Sequence, residues 1–381
     1  MSVHQISRRQ LLTGTAAAAM AAGAAKTAPA STVAIARCRS YADNLEATLA
    51  RMFDQIGGLG PLVKNKTVAF KLNLTGNPGR YPVDPALPYR TNPATVLAAA
   101  HLMARAGARR IRIIESFFPA GQDMSLWARY QLDIPAINNV GCKVEWENVQ
   151  NRGQGKQYVR MRVPWGGYVF PAYELNHSFA DCDTFVSMSK LKHHWVAGVT
   201  MALKNSFGNT PCSLYGGDAG PSGNEDPKRE RGAVCHDGAS TPPAGVPQEL
   251  KPDSPRDQGY RVPRIVVDLV GARPIDLSIV DGVESVRGGE GVWNPGISLI
   301  KPGLLLAGRN PVCVDAVSTA VMGHDPRADR GTDPFLRGDN CMKLAEAVGI
   351  GTADLARIEV AGLSIKAALF KYGPGAIGKR V

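Results

Sequence analysis

Apolar positions along this chain follow two rhythms, one of helices and one of buried strands. From Asp43 to Ile56 they recur every third or fourth residue, which predicts an amphipathic helix stopped by Gly57-Gly58. Val68 to Leu74 is nearly unbroken apolar chain and predicts a buried strand, with Lys71 and Asn73 near its end. Asn92-Pro93 predicts the cap and first turn of a helix running to Arg105, and Arg110 to Glu115 predicts the next strand. A β-α-β unit of this kind favours parallel pairing. Met124 to Asn138 reads as a further helix, while Lys143–Val149, Tyr158–Val163 and Gly167–Phe170 alternate like antiparallel edge strands.

Thr184 to Lys190 predicts a buried strand, followed by a helix from about Val196 to Phe207 with Gly208 at its end. The rhythm then lapses. Asn209 to Pro263 is dominated by Pro, Gly and charge, and predicts a long insertion serving as a lid or lacking structure. Beyond it, helices are predicted for Arg264–Gly271, Asn310–Met322 and Met342–Val348. Strands are predicted at Asp276–Asp281, Leu304–Ala307 and Arg357–Ala361. The expected architecture is one α/β domain over residues 31–381, with a mixed, mostly parallel central sheet, helices on both faces and a loop insertion at 209–263.

The first thirty residues follow neither rhythm. Ser7-Arg8-Arg9-Gln10-Leu11-Leu12 sets a twin arginine before a weakly hydrophobic, Ala-rich run, and Ala28-Pro29-Ala30 offers small residues for cleavage. The arrangement resembles a twin-arginine translocation signal. It implies the twin-arginine export machinery as a partner, a periplasmic or otherwise exported protein, and a loose segment over residues 1–30. No run of eighteen apolar residues predicts a membrane anchor. The formal net charge is +11, yet the 44 basic residues are interleaved with 33 acidic ones, which argues against nucleic acid as a partner. Seven cysteines show no zinc-ribbon or ferredoxin-type spacing. Cys212 with Cys235 is the favoured pair if a disulfide forms, whereas Cys182 and Cys313 read as buried thiols.

Ligands of open α/β sheets bind beyond the carboxyl ends of the strands. Those ends carry this chain's least expected residues: Lys71 and Asn73 on one strand, Glu115 on the next, Lys190, Lys192, His193 and His194 on a third, and Asp281 on a fourth. Lys204 and Asn205 follow on the predicted helix. A strand-end residue reaching solvent explains any one of them; four strands doing so together point to a shared pocket.

Several blocks here resemble one family. They are Lys71-Leu72-Asn73, Asn92-Pro93, Glu115-Ser116 and the stretch Ser189-Lys190-Leu191-Lys192-His193-His194 leading to Lys204-Asn205-Ser206-Phe207-Gly208. Asp268-Leu269-Val270, Ile279-Val280-Asp281-Gly282 and Asn310-Pro311 through Asp315-Ala316 belong with them. Together they resemble the family named domain of unknown function 362, over most of residues 65–362. The resemblance implies the same site and, as that name indicates, no particular reaction. Ferredoxin-type modules that members often carry are missing from this sequence.

Three chemistries suit these residues. A metal would need one histidine, His193, with carboxylates such as Asp281, Glu284 or Glu115. A lysine crowded by others suits a general base or an imine, with Lys190 and Lys204 as candidates. Convergent lysines beside the helix N-termini at Asn92-Pro93 and Asn310-Pro311 suit a small anion. The anion reading is preferred: Lys71, Asn73, Lys192 and Asn205 would bind a carboxylate or phosphate, His193, Lys190 or Lys204 would move protons, and Glu115 with Asp281 would orient them. A non-catalytic periplasmic anion-binding protein and a metal- or cofactor-carrying redox partner are the rival readings.

Overall fold

A computed structural model describes residues 27–117, 121–221, 223 and 229–376. Eight strands form one sheet: β1 (Val33–Arg37), β2 (Thr67–Lys71), β3 (Arg110–Glu115), β4 (Lys143–Asn148), β5 (Thr184–Lys190), β6 (Leu277–Gly282), β7 (Leu304–Gly308) and β8 (Val360–Gly362). Their order is β8-β1-β7-β6-β5-β2-β3-β4. The run from β6 to β4 is parallel throughout, and β7 alone opposes its neighbours. The α/β class with a mostly parallel sheet is therefore present. β4 joins it as a parallel edge strand, where its alternation predicted an antiparallel one.

Two cores sandwich the sheet. Helices α1 (Leu45–Gln55) and α2 (Pro93–Arg105) pack on one face over Val68, Phe70, Ile113, Val186, Met188 and Ile279. Helices α3 (Met201–Asn205), α4 (Gln258–Ala272) and α5 (Pro311–Val321) pack on the other, over Ala69, Ile114, Phe185, Val280 and Leu306. Successive strand residues point to opposite faces, so these two sets alternate along each strand. The α2 boundary follows its chemistry: the Asn92 side chain accepts from Ala94 N, and Pro93 takes the first helical position.

Four elements differ from the sequence rhythm. Met124–Asn138 splits into Met124–Ala128 and Ile134–Asn138, because Gln131 between them adopts a left-handed φ of 61°. Gly167–Phe170 makes no strand; Tyr168, Val169 and Phe170 instead donate their amides to the buried Asp268 carboxylate at 2.7, 2.8 and 3.3 Å. The helix expected from Val196 shrinks to α3, since Gly198 turns at φ 75° to pair Gly198–Val199 with His193–His194. Val33–Arg37, an Ala-rich stretch with no predicted element, is strand β1.

The described part of the insertion is folded. Leu214, Tyr215, Val234 and Cys235 are buried in the α3–α5 core, and Cys212 is buried as well. Helix α4 begins six residues before the predicted start and contains Pro263. A proline there leaves the carbonyl of Gly259 without its helical donor, and Asp339 N supplies one at 2.9 Å. The suggested Cys212–Cys235 disulfide is not formed; all seven cysteines are thiols, six of them buried.

Most of the predicted export signal lies outside the described residues. Its last part does not hang loose: Arg357 donates to Ala28 O at 2.6 Å and Thr352 N to Pro29 O at 3.0 Å. Among the described residues, no helix is long and apolar enough to cross a membrane.

Candidate functional site

Lys71 closes β2 with its side chain on the α3 face, the same parity as Ala69. Its Nζ is fully buried, pairs with Glu115 Oε1 and donates to Leu72 O at 2.8 Å. Glu115 is positioned in turn by two amides, Leu74 N to Oε2 and Ser116 N to Oε1, each at 2.7 Å. Burial lowers the Lys71 proton affinity below that of an ordinary lysine, and Glu115 opposes the shift.

Lys71 and Glu115 form one wall of a cavity of about 100 Å³, which Asn73, Lys204, Asn205, Phe207, Gly208 and Arg231 also line. Helix α3 brings Lys204 and Asn205, with Lys204 Nζ 4.1 Å from the Phe207 ring centroid. Gly208 leaves room for the lysine head: a Cβ there would lie 3.0 Å from Lys71 Nζ. The insertion contributes Arg231, whose Nη2 donates to Ser116 Oγ at 2.6 Å and Gln150 Oε1 at 3.1 Å. Three cationic side chains thus face one carboxylate, Glu115, in a space that holds a few water-sized groups.

The remaining candidates lie elsewhere. β2 and β5 pair with Lys71 beside Ser187, so Lys190, three residues on, projects to the α1–α2 face. There it is fully buried and donates to Asp281 Oδ2 at 2.9 Å and Tyr41 Oη at 2.8 Å. Burial lowers the Lys190 proton affinity against the pull of Asp281. Tyr41 donates to Asp281 Oδ1 at 2.9 Å, a partner that no sequence signal marks. Asn92 N at the start of α2 donates to Asp281 Oδ2 at 3.1 Å, so a protein carboxylate already occupies that helix terminus. Asn310-Pro311 follows the antiparallel β7, whose last residue Gly308 pairs with Ser278 near the start of β6, and so lies at the opposite edge of the sheet.

Lys192 donates to Glu290 O at 3.0 Å and to Tyr89 O at 2.5 Å, and burial holds its proton affinity well below the usual lysine range. His193 faces His324, with 2.9 Å between their Nε2 atoms, and accepts from Gly288 N at Nδ1. The suggested metal set is dispersed: Glu115 pairs with Lys71, Asp281 with Lys190, Glu284 with Lys301, and His193 with His324. Among the described residues, no three His, Cys, Asp or Glu side chains converge to hold a metal.

The family model for the domain of unknown function DUF362 matches residues 68–320, which span β2 through α5 and every residue lining the cavity. This chain belongs to the DUF362 family. It is also 28% identical over 191 residues to a thylakoid-associated protein of Synechocystis sp., an alignment covering 48% of this chain and 51% of that protein. The chain thus spans about half the length of that curated relative. Two aspartates inside the matched region hold backbone: Asp268 takes the three amides described above, and Asp315 Oδ1 and Oδ2 accept from Ala202 N and Leu203 N at 2.8 and 2.9 Å. Arg231 is the site residue that sequence reasoning missed. It lies inside a stretch with no periodic pattern, and only the chain's return to β3 brings it to Ser116.

Proposed function

We propose that this protein is an exported enzyme acting on a small anion, carboxylate or phosphate bearing, taken up in the cavity over Lys71 and Glu115. One observation carries the reading: Lys71, Lys204 and Arg231 line a single small cavity against one carboxylate. Among the residues lining it, Glu115 is the acid and Lys71, Lys204 and Arg231 are the cations, and a partly enclosed, low-dielectric space strengthens the pull of such a positive surround on an anion. Lys71 and Glu115, in direct contact, supply an acid–base pair within reach of whatever binds. A protein that merely captures the anion would use Lys204 and Arg231 and leave that pair idle.

Isothermal titration with phosphate and short carboxylates, in buffers of differing ionisation enthalpy, tests both parts. Wild type should bind one such anion, Arg231→Ala and Lys204→Ala should each weaken it at least tenfold, and the heats should reveal a proton taken up or released. Glu115→Gln should retain binding and abolish that proton exchange. If wild type binds neither class of anion at millimolar concentration, the reading fails; if it binds without proton exchange, the capture role replaces the enzymatic one.

A further inference from the structure

We infer that Lys71 is a nucleophile and that the anion of this cavity is a short 2-oxo acid, whose carbonyl carbon forms an imine with the Lys71 amine while Arg231 holds the carboxylate. The inference rests on the anion-binding reading of the same site and names its substrate class. It moves the imine role, which the sequence suggested for Lys190 or Lys204, onto the lysine that the fold places against Glu115.

As an ammonium, Lys71 Nζ carries three hydrogens, and it has two acceptors, Glu115 Oε1 and Leu72 O. Among the described residues nothing accepts from the third position. Nζ therefore keeps one tetrahedral direction for a reacting carbon, and Gly208, with no side chain, leaves the space beside it clear. Burial above all weakens the hold of Lys71 on its proton; Glu115 opposes that effect and the nearby Arg231 charge reinforces it. A desolvated lysine beside a second cation is the setting in which an amine becomes nucleophilic near neutral pH.

Arg231 supplies the hold on the acid. Its Nη2 donates to two neutral groups, Ser116 Oγ and Gln150 Oε1, and among the described residues no carboxylate pairs with it. A guanidinium in that state is well suited to a carboxylate. Amine and guanidinium line one cavity of about 100 Å³, so a carbonyl adjoining its carboxylate on a short chain meets both.

The step balances with Glu115 as the proton carrier. Glu115 takes one proton from Nζ, and the nitrogen lone pair forms a C–N bond as the C=O π pair moves onto oxygen. Glu115 returns that proton to the oxygen, then carries a second from nitrogen to the resulting hydroxyl. The C–O bond breaks with its electron pair leaving in water, and the nitrogen pair closes the C=N bond. Ammonium and carbonyl become iminium and one water, with Glu115 again a carboxylate and nothing oxidised or reduced.

Reductive trapping on the full-length protein tests this. The protein is incubated at neutral pH with pyruvate and cyanoborohydride, or with acetone as the neutral counterpart, and the modified lysine is located by peptide mass mapping. The expected result is a carboxyethyl group on Lys71, formed ahead of any other lysine and roughly tenfold or more faster than the isopropyl group from acetone. Arg231→Ala should bring the two rates together, and Glu115→Gln should slow the pyruvate reaction. Lys71 left unmodified, or modified no faster than surface lysines, would overturn the inference. Isothermal titration in the same buffer separates the two readings: if pyruvate or phosphate binds while Lys71 is not trapped, the anion site stands and the imine falls. If neither binds, the anion site falls and the inference with it. Mapping on wild type decides the matter alone should a variant fail to fold.

Discussion

Lys71 and Lys190 are the same residue type at the ends of neighbouring strands, yet they serve different ends. Lys71 lines a cavity, whereas Lys190 is buried against Asp281 and Tyr41. His193 is likewise enclosed, and its surroundings make a prediction. It accepts from Gly288 N at Nδ1, so its Nε2 carries the proton toward His324 Nε2, and His324 directs Nδ1 at Asp333 3.3 Å away. Burial, then His324 and Arg287, push its pKa down to about 3. A base with a depressed folded-state pKa takes up its proton first in the unfolded chain. Its contribution is fully present above about pH 6.5 and is lost as pH falls toward 3, by up to roughly 1.4 kcal/mol per pH unit. Urea midpoints between pH 7 and pH 4 should fall steeply in wild type and less steeply in His193→Gln; equal slopes would contradict this role.

At the scale of elements, the weak one is α3. Five residues are too few for a helix to stand alone, and this one opens on Met201 at a φ of 36°. Asp315, projecting from α5, holds it by accepting from the amides of Ala202 and Leu203. Because α3 also carries Lys204 and Asn205, this brace links the core to the cavity. Asp315→Ala should strip two buried amides of their acceptor and cost about 3 kcal/mol, read by chemical denaturation. Anion affinity should fall with it, although Asp315 lines no part of the cavity. Unchanged affinity in a folded Asp315→Ala protein would mean that α3 holds its place without the brace. The sequence announces neither relation: Asp315 sits mid-helix among apolar residues, and its partners lie more than a hundred positions upstream.

For the molecule as a whole, the expectation to examine is export. Arg8 and Arg9 before an Ala-rich run are the features that the twin-arginine machinery would read. Replacing both with lysine keeps the charge and should hold the protein in the cytoplasm, as fractionation and immunoblotting would reveal; normal export of the double variant would end that proposal. The site of cleavage has a physical bound of its own. Cutting after Ala30 would remove the contacts of Ala28 with Arg357 and of Pro29 with Thr352. A cut before Ala28 keeps them, so N-terminal sequencing of exported protein should begin at or upstream of that residue.

Much of the framework was legible from local pattern. The amphipathic spacing marked α1, Asn-Pro marked the starts of α2 and α5 to the residue, a nearly unbroken apolar run marked β2, and short runs rich in β-branched and apolar residues marked β3 and β5, because capping and face burial depend on neighbours within a few positions. The same pattern identified Lys71, Asn73 and Glu115 as residues collected at strand ends, and Lys204 and Asn205 on the helix that follows. What it could not reach was the face on which each one falls. A strand's side chains alternate with period two, so whether two strand-end lysines meet depends on the register between strands, and register is a long-range property. Pairing Lys71 with Ser187 sent Lys190 and Asp281 to the other core and left Lys71 with Glu115. Arg231 reached the cavity by a fold-back that no spacing encodes. The sequence by itself determined which residues stand at the carboxyl edge of the sheet; only the tertiary structure decided which of them share a site, since side-chain alternation turns a single step of register into opposite faces.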